Sequence, residues 1–181
     1  MKQLKEYDIP FIGLKEGGHL FEFDINEKFF DLFQFDEFNT ANIKATVDFT
    51  KKPSLLNLKF NISGDVNVPC DVTNEPFDLA IEGSMPLVVK FGIEYNDDND
   101  EILILPHEAY QINVAQYFYE LIVLSVPNKR VHPKVLDGTM ESEALNKLEE
   151  LTITEKKTVV EDETTDPRWD KLKDLLTGKK T

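Results

Sequence analysis

Two alternating apolar runs constrain this chain most. In "ANIKATVDFTKKPSLLNLKFNISGDVNV", Ile43, Ala45, Val47 and Phe49 recur every second residue, and so do Leu56, Leu58, Phe60 and Ile62. Successive side chains of a strand point to opposite faces, so this spacing gives two strands that each bury one face. The intervening "KKPS" is a turn, which makes the pair neighbours in an antiparallel sheet.

The same pattern extends on both sides. "EYDIPFIGLKEGGHLFEFDI" carries two apolar runs around Gly17-Gly18 and reads as a β-hairpin, with Phe21, Phe23 and Ile25 on one strand face. "NEKFFDLFQFDEF" mixes periods: Phe29, Phe30 and Phe33 have helical spacing, Phe33 and Phe35 strand spacing. A short helix or turn after Asn26, then a crossing segment, is expected. "GDVNV", "PFDLAIEG" and "MPLVVKFGIEY" continue the strands, with Val88 to Phe91 compact enough for burial on both faces. "NDDND" is an exposed acidic turn and "EILILP" another strand.

The period changes at "YQINVAQYFYELIVLSVP". Val114, Tyr117, Phe118, Leu121, Ile122 and Ser125 follow helical spacing, Asn113 suits the N-cap and Pro127 ends the helix. With Leu124 the apolar face is broad enough for a helix packed on the sheet. The expected fold is α+β: a mostly antiparallel sheet with one principal late helix over residues 1–136. An acidic linker, expected to be flexible, follows over 137–165, in which Met140, Ala144, Leu145 and Leu148 suit one or two amphipathic turns. Residues 166–181 close the chain with a short helical segment. There Asp166 is the N-cap, Pro167 fits the first turn, and Trp169, Leu172 and Leu176 share a face flanked by Leu175. Too short to be stable alone, that stripe needs a groove, either on this chain's own sheet or on a partner.

Composition narrows the function. The net charge of −14 makes a bare phosphate backbone a poor main partner and a basic protein a good one. The single cysteine, Cys70, allows no internal disulfide and suits a reducing cytoplasm. The N-terminal stretch lacks the apolar core of a signal peptide, and no run is long enough to span a bilayer. A soluble cytoplasmic protein is expected.

No catalytic constellation stands out. Zinc needs about four ligands, and Cys70 has no neighbouring partner among His19, His107 and His132. The plainer reading is a half-buried structural cysteine at a strand-to-turn junction. "NDDND" offers oxygens for calcium but lacks the glycine and closing glutamate of a calcium loop. The one basic cluster, Lys129, Arg130 and His132 with Lys134, is a candidate RNA contact; the plainer reading is positive charge complementing the C-terminus of the late helix.

Three segments in order resemble the YceD family, the large ribosomal RNA subunit accumulation proteins. "CDVTNEPFDL" sets Cys70 at the first position of the family's C-x-x-C and Pro76-Phe77 at its trailing pair. Ile112-Asn113-Val114 stand at the helix start, Leu124 to Pro127 at its end, and His132 beyond. Asp166-Pro167, then Trp169, Leu172, Leu175 and Leu176, match the family's closing motif. The resemblance covers roughly residues 60 to 180. Thr73 replaces the second cysteine, so no metal or redox role is carried over.

The resemblance implies a role in making or maintaining large-subunit ribosomal RNA and does not imply an enzyme; no cofactor is expected. A non-enzymatic factor is expected to dock on a ribosomal protein or a nascent large subunit. Its contacts would be Asp166, Pro167, Arg168, Trp169, Leu172, Leu175 and Leu176, with Lys129, Arg130 and His132 as the limited RNA-facing patch. The alternative is a metal-dependent nuclease acting on precursor rRNA, which would need clustered carboxylates. With the cysteine pair broken, the protein is expected to fold without zinc. Chelator should leave its melting temperature unchanged; stoichiometric zinc by elemental analysis together with chelator-induced unfolding would overturn this.

Overall fold

A computed structural model describes residues 3–99 and 101–151. A 3₁₀ turn (Gln3–Tyr7) leads into β1 (Asp8–Pro10), β2 (Gly17–Asn26), α1 (Glu27–Asp31), β3 (Thr40–Lys51), β4 (Leu55–Pro69) and β5 (Pro76–Gly92). The chain continues through β6 (Asn96–Asn99), β7 (Ile102–Pro106), β8 (Gln111–Asn113), α2 (Ala115–Ser125), α3 (Pro133–Leu136) and α4 (Glu143–Leu151). Residues up to Asn146 form one compact unit; of a second, beginning at Lys147, the described residues are 147–151.

The body is an α+β domain built on a six-stranded sheet of order β2-β3-β4-β5-β7-β6. Its first four strands form an antiparallel meander in which Phe21 faces Val47, Val47 faces Phe60, and Phe60 faces Met85. The alternation predicted for β3 and β4 holds throughout: Ile43, Ala45, Val47, Phe49, Leu56, Leu58, Phe60 and Ile62 are all buried. The intervening polar residues lie on the opposite, solvated face.

The helix α2 covers the inner face. Phe118 is fully buried, its ring 5.3 Å from Phe23 and 5.4 Å from Phe60. Tyr117 stacks on Phe60 at 5.4 Å. Gly83 lets the helix approach: a Cβ there would lie 2.4 Å from Ser125 Oγ and 3.2 Å from Leu121 Cδ1. Around the start of α1, capped by the Asn26 side chain, Phe29 and Phe30 join Phe35 and Phe38 in an aromatic cluster; the Phe30 and Phe38 rings are 4.9 Å apart. Phe33 stacks on Tyr119 of α2 at 4.4 Å.

Several expectations are corrected. No hairpin forms around Gly17-Gly18: β1 pairs with β8, Ile9 opposite Ile112, and forms a separate two-stranded sheet. The Asp8 carboxylate accepts from the Gln111 and Asn113 side-chain amides at 2.9 and 2.7 Å. Lys51 Nζ donates to the carbonyls of Phe11 and Leu14, holding the intervening loop against the end of β3. Of the apolar run of residues 9–12, Ile9 and Phe11 are buried, their backbone paired with Ile112 and Tyr110 about a hundred residues away, while Ile12 is exposed. Val88 to Phe91 is not buried on both faces: Lys90 is exposed and Val88 half-buried, because the outer face of β5 is solvated. Asn96–Asn99 of the expected acidic turn is exposed but forms β6, an edge strand on β7. One strand pair is parallel: β7 inserts between β5 and β6, running with β5. The N-cap of α2 is Val114, with Asn113 Oδ1 accepting from the Ala115 N–H one residue on. Leu124 is not part of the packed face; it is 81% exposed.

The expected amphipathic turns within 137–165 form α4, and residues 152–165 lie outside the described residues. No helix among the described residues is long and apolar enough to cross a membrane.

The Gly83 contact makes a direct test. Gly83→Ala is expected to cost about 1–3 kcal/mol, as overpacking does, read by urea denaturation. Ser125→Ala in the same chain should restore most of it, since it removes the nearest atom.

Candidate functional site: a joint at the β4–β5 turn and a groove beside α2

Residues far apart in the chain meet at the end of the β4–β5 hairpin. Cys70, directly after β4, is buried rather than half-buried. Its backbone closes the turn, its N–H donating to Glu75 O and its carbonyl accepting from Asn74, which adopts a φ of 60°. Its sulfur accepts from the His132 N–H at 3.3 Å. Burial raises the thiol pKa, but hydrogen bonds from the Thr73 side chain and from the backbone of His132, Thr73 and Val72 outweigh it and bring it down to about 7.

The segment after α2 is pinned to this turn. Asp71 N–H donates to Arg130 O at 2.8 Å, and Arg130 N–H returns a bond to Asp71 Oδ2. The Arg130 guanidinium pairs with Glu37 at 3.0 Å and lies 3.7 Å from Asp71. Positive charge here does not complement the end of α2, because Arg130 turns to carboxylates on two other segments. The His132 ring packs on Phe77 at 5.3 Å, and its Nδ1 accepts from the Lys134 N–H to cap α3. Of the three residues proposed to face RNA, Arg130 and His132 are held within this joint and Lys129 is exposed. Glu37 and Asp71 were not foreseen, since nothing in their sequence surroundings marks them as partners of Arg130.

A second feature was invisible in the sequence. A groove of about 540 Å³ runs between α2 and the β7–β6 edge. Its floor is apolar, with Leu103, Leu105 and Ile112 buried and Met85 half-buried. Tyr95, Asp97, Glu120 and Leu124 stand on its walls, all exposed. The Tyr95 hydroxyl donates to Asp97 Oδ2 at 2.9 Å, and Gln116 Nε2 donates to Glu120 Oε1. Tyr117 lines the same groove, and its pKa is raised by burial and then by Tyr95, Asp97 and Glu120.

Asp166, Pro167, Arg168, Trp169, Leu172, Leu175 and Leu176, expected to bind a partner, lie outside the described residues. Among the described residues no group of three or more His, Cys, Asp or Glu side chains is placed to hold a metal ion.

The joint gathers the Cys70 turn, Phe77 and His132, and the packed helix lies between them in sequence. The family model described as large ribosomal RNA subunit accumulation protein YceD matches residues 58–176, and the chain belongs to that family. The match begins inside β4, so β1 to β3 precede it. No curated protein and no solved structure gives a significant match. The family's description connects its members with accumulation of large-subunit ribosomal RNA and gives no support to the nuclease alternative.

Tyr117 gives a pH signature. Its folded pKa lies above the usual tyrosine value, so above about pH 10 the unfolded chain releases a proton that the folded one keeps. Stability is fully present below that pH and falls as pH rises toward the folded value. Tyr117→Phe is expected to flatten this alkaline loss in denaturant titrations relative to wild type; equal slopes would contradict the assignment.

Proposed function

We propose that this protein is a cytoplasmic, non-enzymatic ribosome-biogenesis factor that supports accumulation of large-subunit rRNA by binding a ribosomal protein or a nascent large subunit. Membership of the YceD family carries this reading. The net charge of −14 supports a basic partner, since its field attracts Lys- and Arg-rich surfaces and repels phosphates. Trp169, Leu172, Leu175 and Leu176 supply the apolar anchors of the contact, with Asp166, Pro167 and Arg168 at its start. Lys129 is the exposed RNA-facing charge, on a loop that Arg130 and His132 hold in shape.

Crosslinking and pull-down of the tagged full chain from growing cells tests this. Large-subunit ribosomal proteins or precursor particles should be enriched, and labelled rRNA incubated with the protein and magnesium should stay intact. Trp169→Ala with Leu172→Ala should lower recovery more than about tenfold, as loss of an interface anchor does, with the melting temperature unchanged. Absence of large-subunit material from the wild-type pull-down would overturn the reading.

A further inference from the structure

We propose that the groove between α2 and the β7–β6 edge docks a basic amphipathic peptide segment, which sets a Lys or Arg between Asp97 and Glu120 and an aliphatic side chain over Leu103, Leu105 and Leu124. The assignment of that segment to a ribosomal protein rests on the function proposed above; the chemistry of the groove does not.

The apolar part comes first. At about 540 Å³ the groove has the size of a small-ligand or side-chain pocket, and its floor is buried leucine and isoleucine. Leu124, 81% exposed, and Tyr95, 56% exposed, extend that surface outward. A monomer gains nothing by leaving these side chains in water beside an apolar floor, whereas an occupant would bury them.

Charge selects the occupant. Asp97 and Glu120 line the groove, and among the described residues no Lys, Arg or His does. Each carboxylate accepts one neighbouring donor and keeps an oxygen with no hydrogen bond among the described residues. Asp98 and Glu101 stand exposed beside them. A nucleic-acid phosphate or an acidic peptide would be repelled. A second copy of the chain would bring another −14 and set like charges together. A cationic side chain flanked by aliphatic ones satisfies both the rim and the floor.

The test uses the full chain and a synthetic probe of repeated Leu-Lys-Lys-Leu units, with an oligolysine of equal charge as comparison. In NMR titrations the amphipathic peptide should shift the amides of Leu103, Leu105, Tyr117 and Leu124. It should bind at least about tenfold more tightly than oligolysine, since one buried leucine is worth that much. Leu124→Ser, and separately Asp97→Lys with Glu120→Lys, should each weaken binding about tenfold or more. Glu22→Lys with Glu82→Lys changes net charge equally on the opposite sheet face and should leave binding within about twofold. Equal binding of oligolysine, shifts outside the groove, or an equal effect of the control pair would overturn the proposal. So would a tenfold gain in affinity on changing Trp169 and Leu172 to Ala, which would make residues 166–176 of the chain itself the occupant. If the groove fails while the pull-down still yields large-subunit material, the functional reading stands alone; if peptide binding holds and the pull-down is empty, the groove stands alone.

Discussion

Phe118 meets Phe23 of β2 and Phe60 of β4 nearly edge-on, and this contact lets a single eleven-residue helix close a six-stranded sheet. Burial of a ring of this size is worth about 1.5–3 kcal/mol, and each edge-to-face pair adds about 0.5–1.5. The contact also dictates what lies around it. Gly83 must be small, because the helix descends onto it. Tyr117 and Tyr119 leave the helix on opposite flanks, one stacking on Phe60, the other on Phe33. Among the described residues no element covers the flank beyond Tyr117, and that is where the groove opens.

The residues that carry the family resemblance act here as a structural joint. Cys70, Asp71 and Phe77 come from one hairpin, Arg130 and His132 from the segment after α2, and backbone bonds tie the two in both directions. A cysteine buried in such a seam, bonded through its sulfur to a backbone N–H, needs neither a metal nor a redox partner to explain its presence. The joint fixes where the chain leaves α2 and where α3 begins.

Much of the meander was legible because one face of each strand is buried. Ile43 to Phe49 and Leu56 to Ile62 could not alternate otherwise, and the helical period of Val114 to Ser125 marks α2, an eleven-residue helix long enough to show it. What failed to show was non-local or short. Three-residue β1 has no periodicity to read, and its partner β8 lies a hundred residues on. The parallel insertion of β7 depends on which edge is free, not on its own composition. Lys90 sits within an apolar run and still faces water, since Val88 to Phe91 alternates like its neighbours. Of the candidate site, the Cys70 turn and His132 were readable as motifs, whereas the groove is assembled from β5, β6, β7, β8 and α2 and no local stretch announces it.

The pairing of β1 with β8 has a consequence for how the molecule is made. The strands β2, β3 and β4 each join their immediate successor in sequence, so β2 to β5 can assemble as each emerges from the ribosome. Ile9 and Phe11, by contrast, belong to the finished core but have no strand partner until Gln111–Asn113 has been synthesised. Through most of translation the residues of β1 therefore lack their strand partner, and that long loop closes only once β8 has been made, with α2 still to follow.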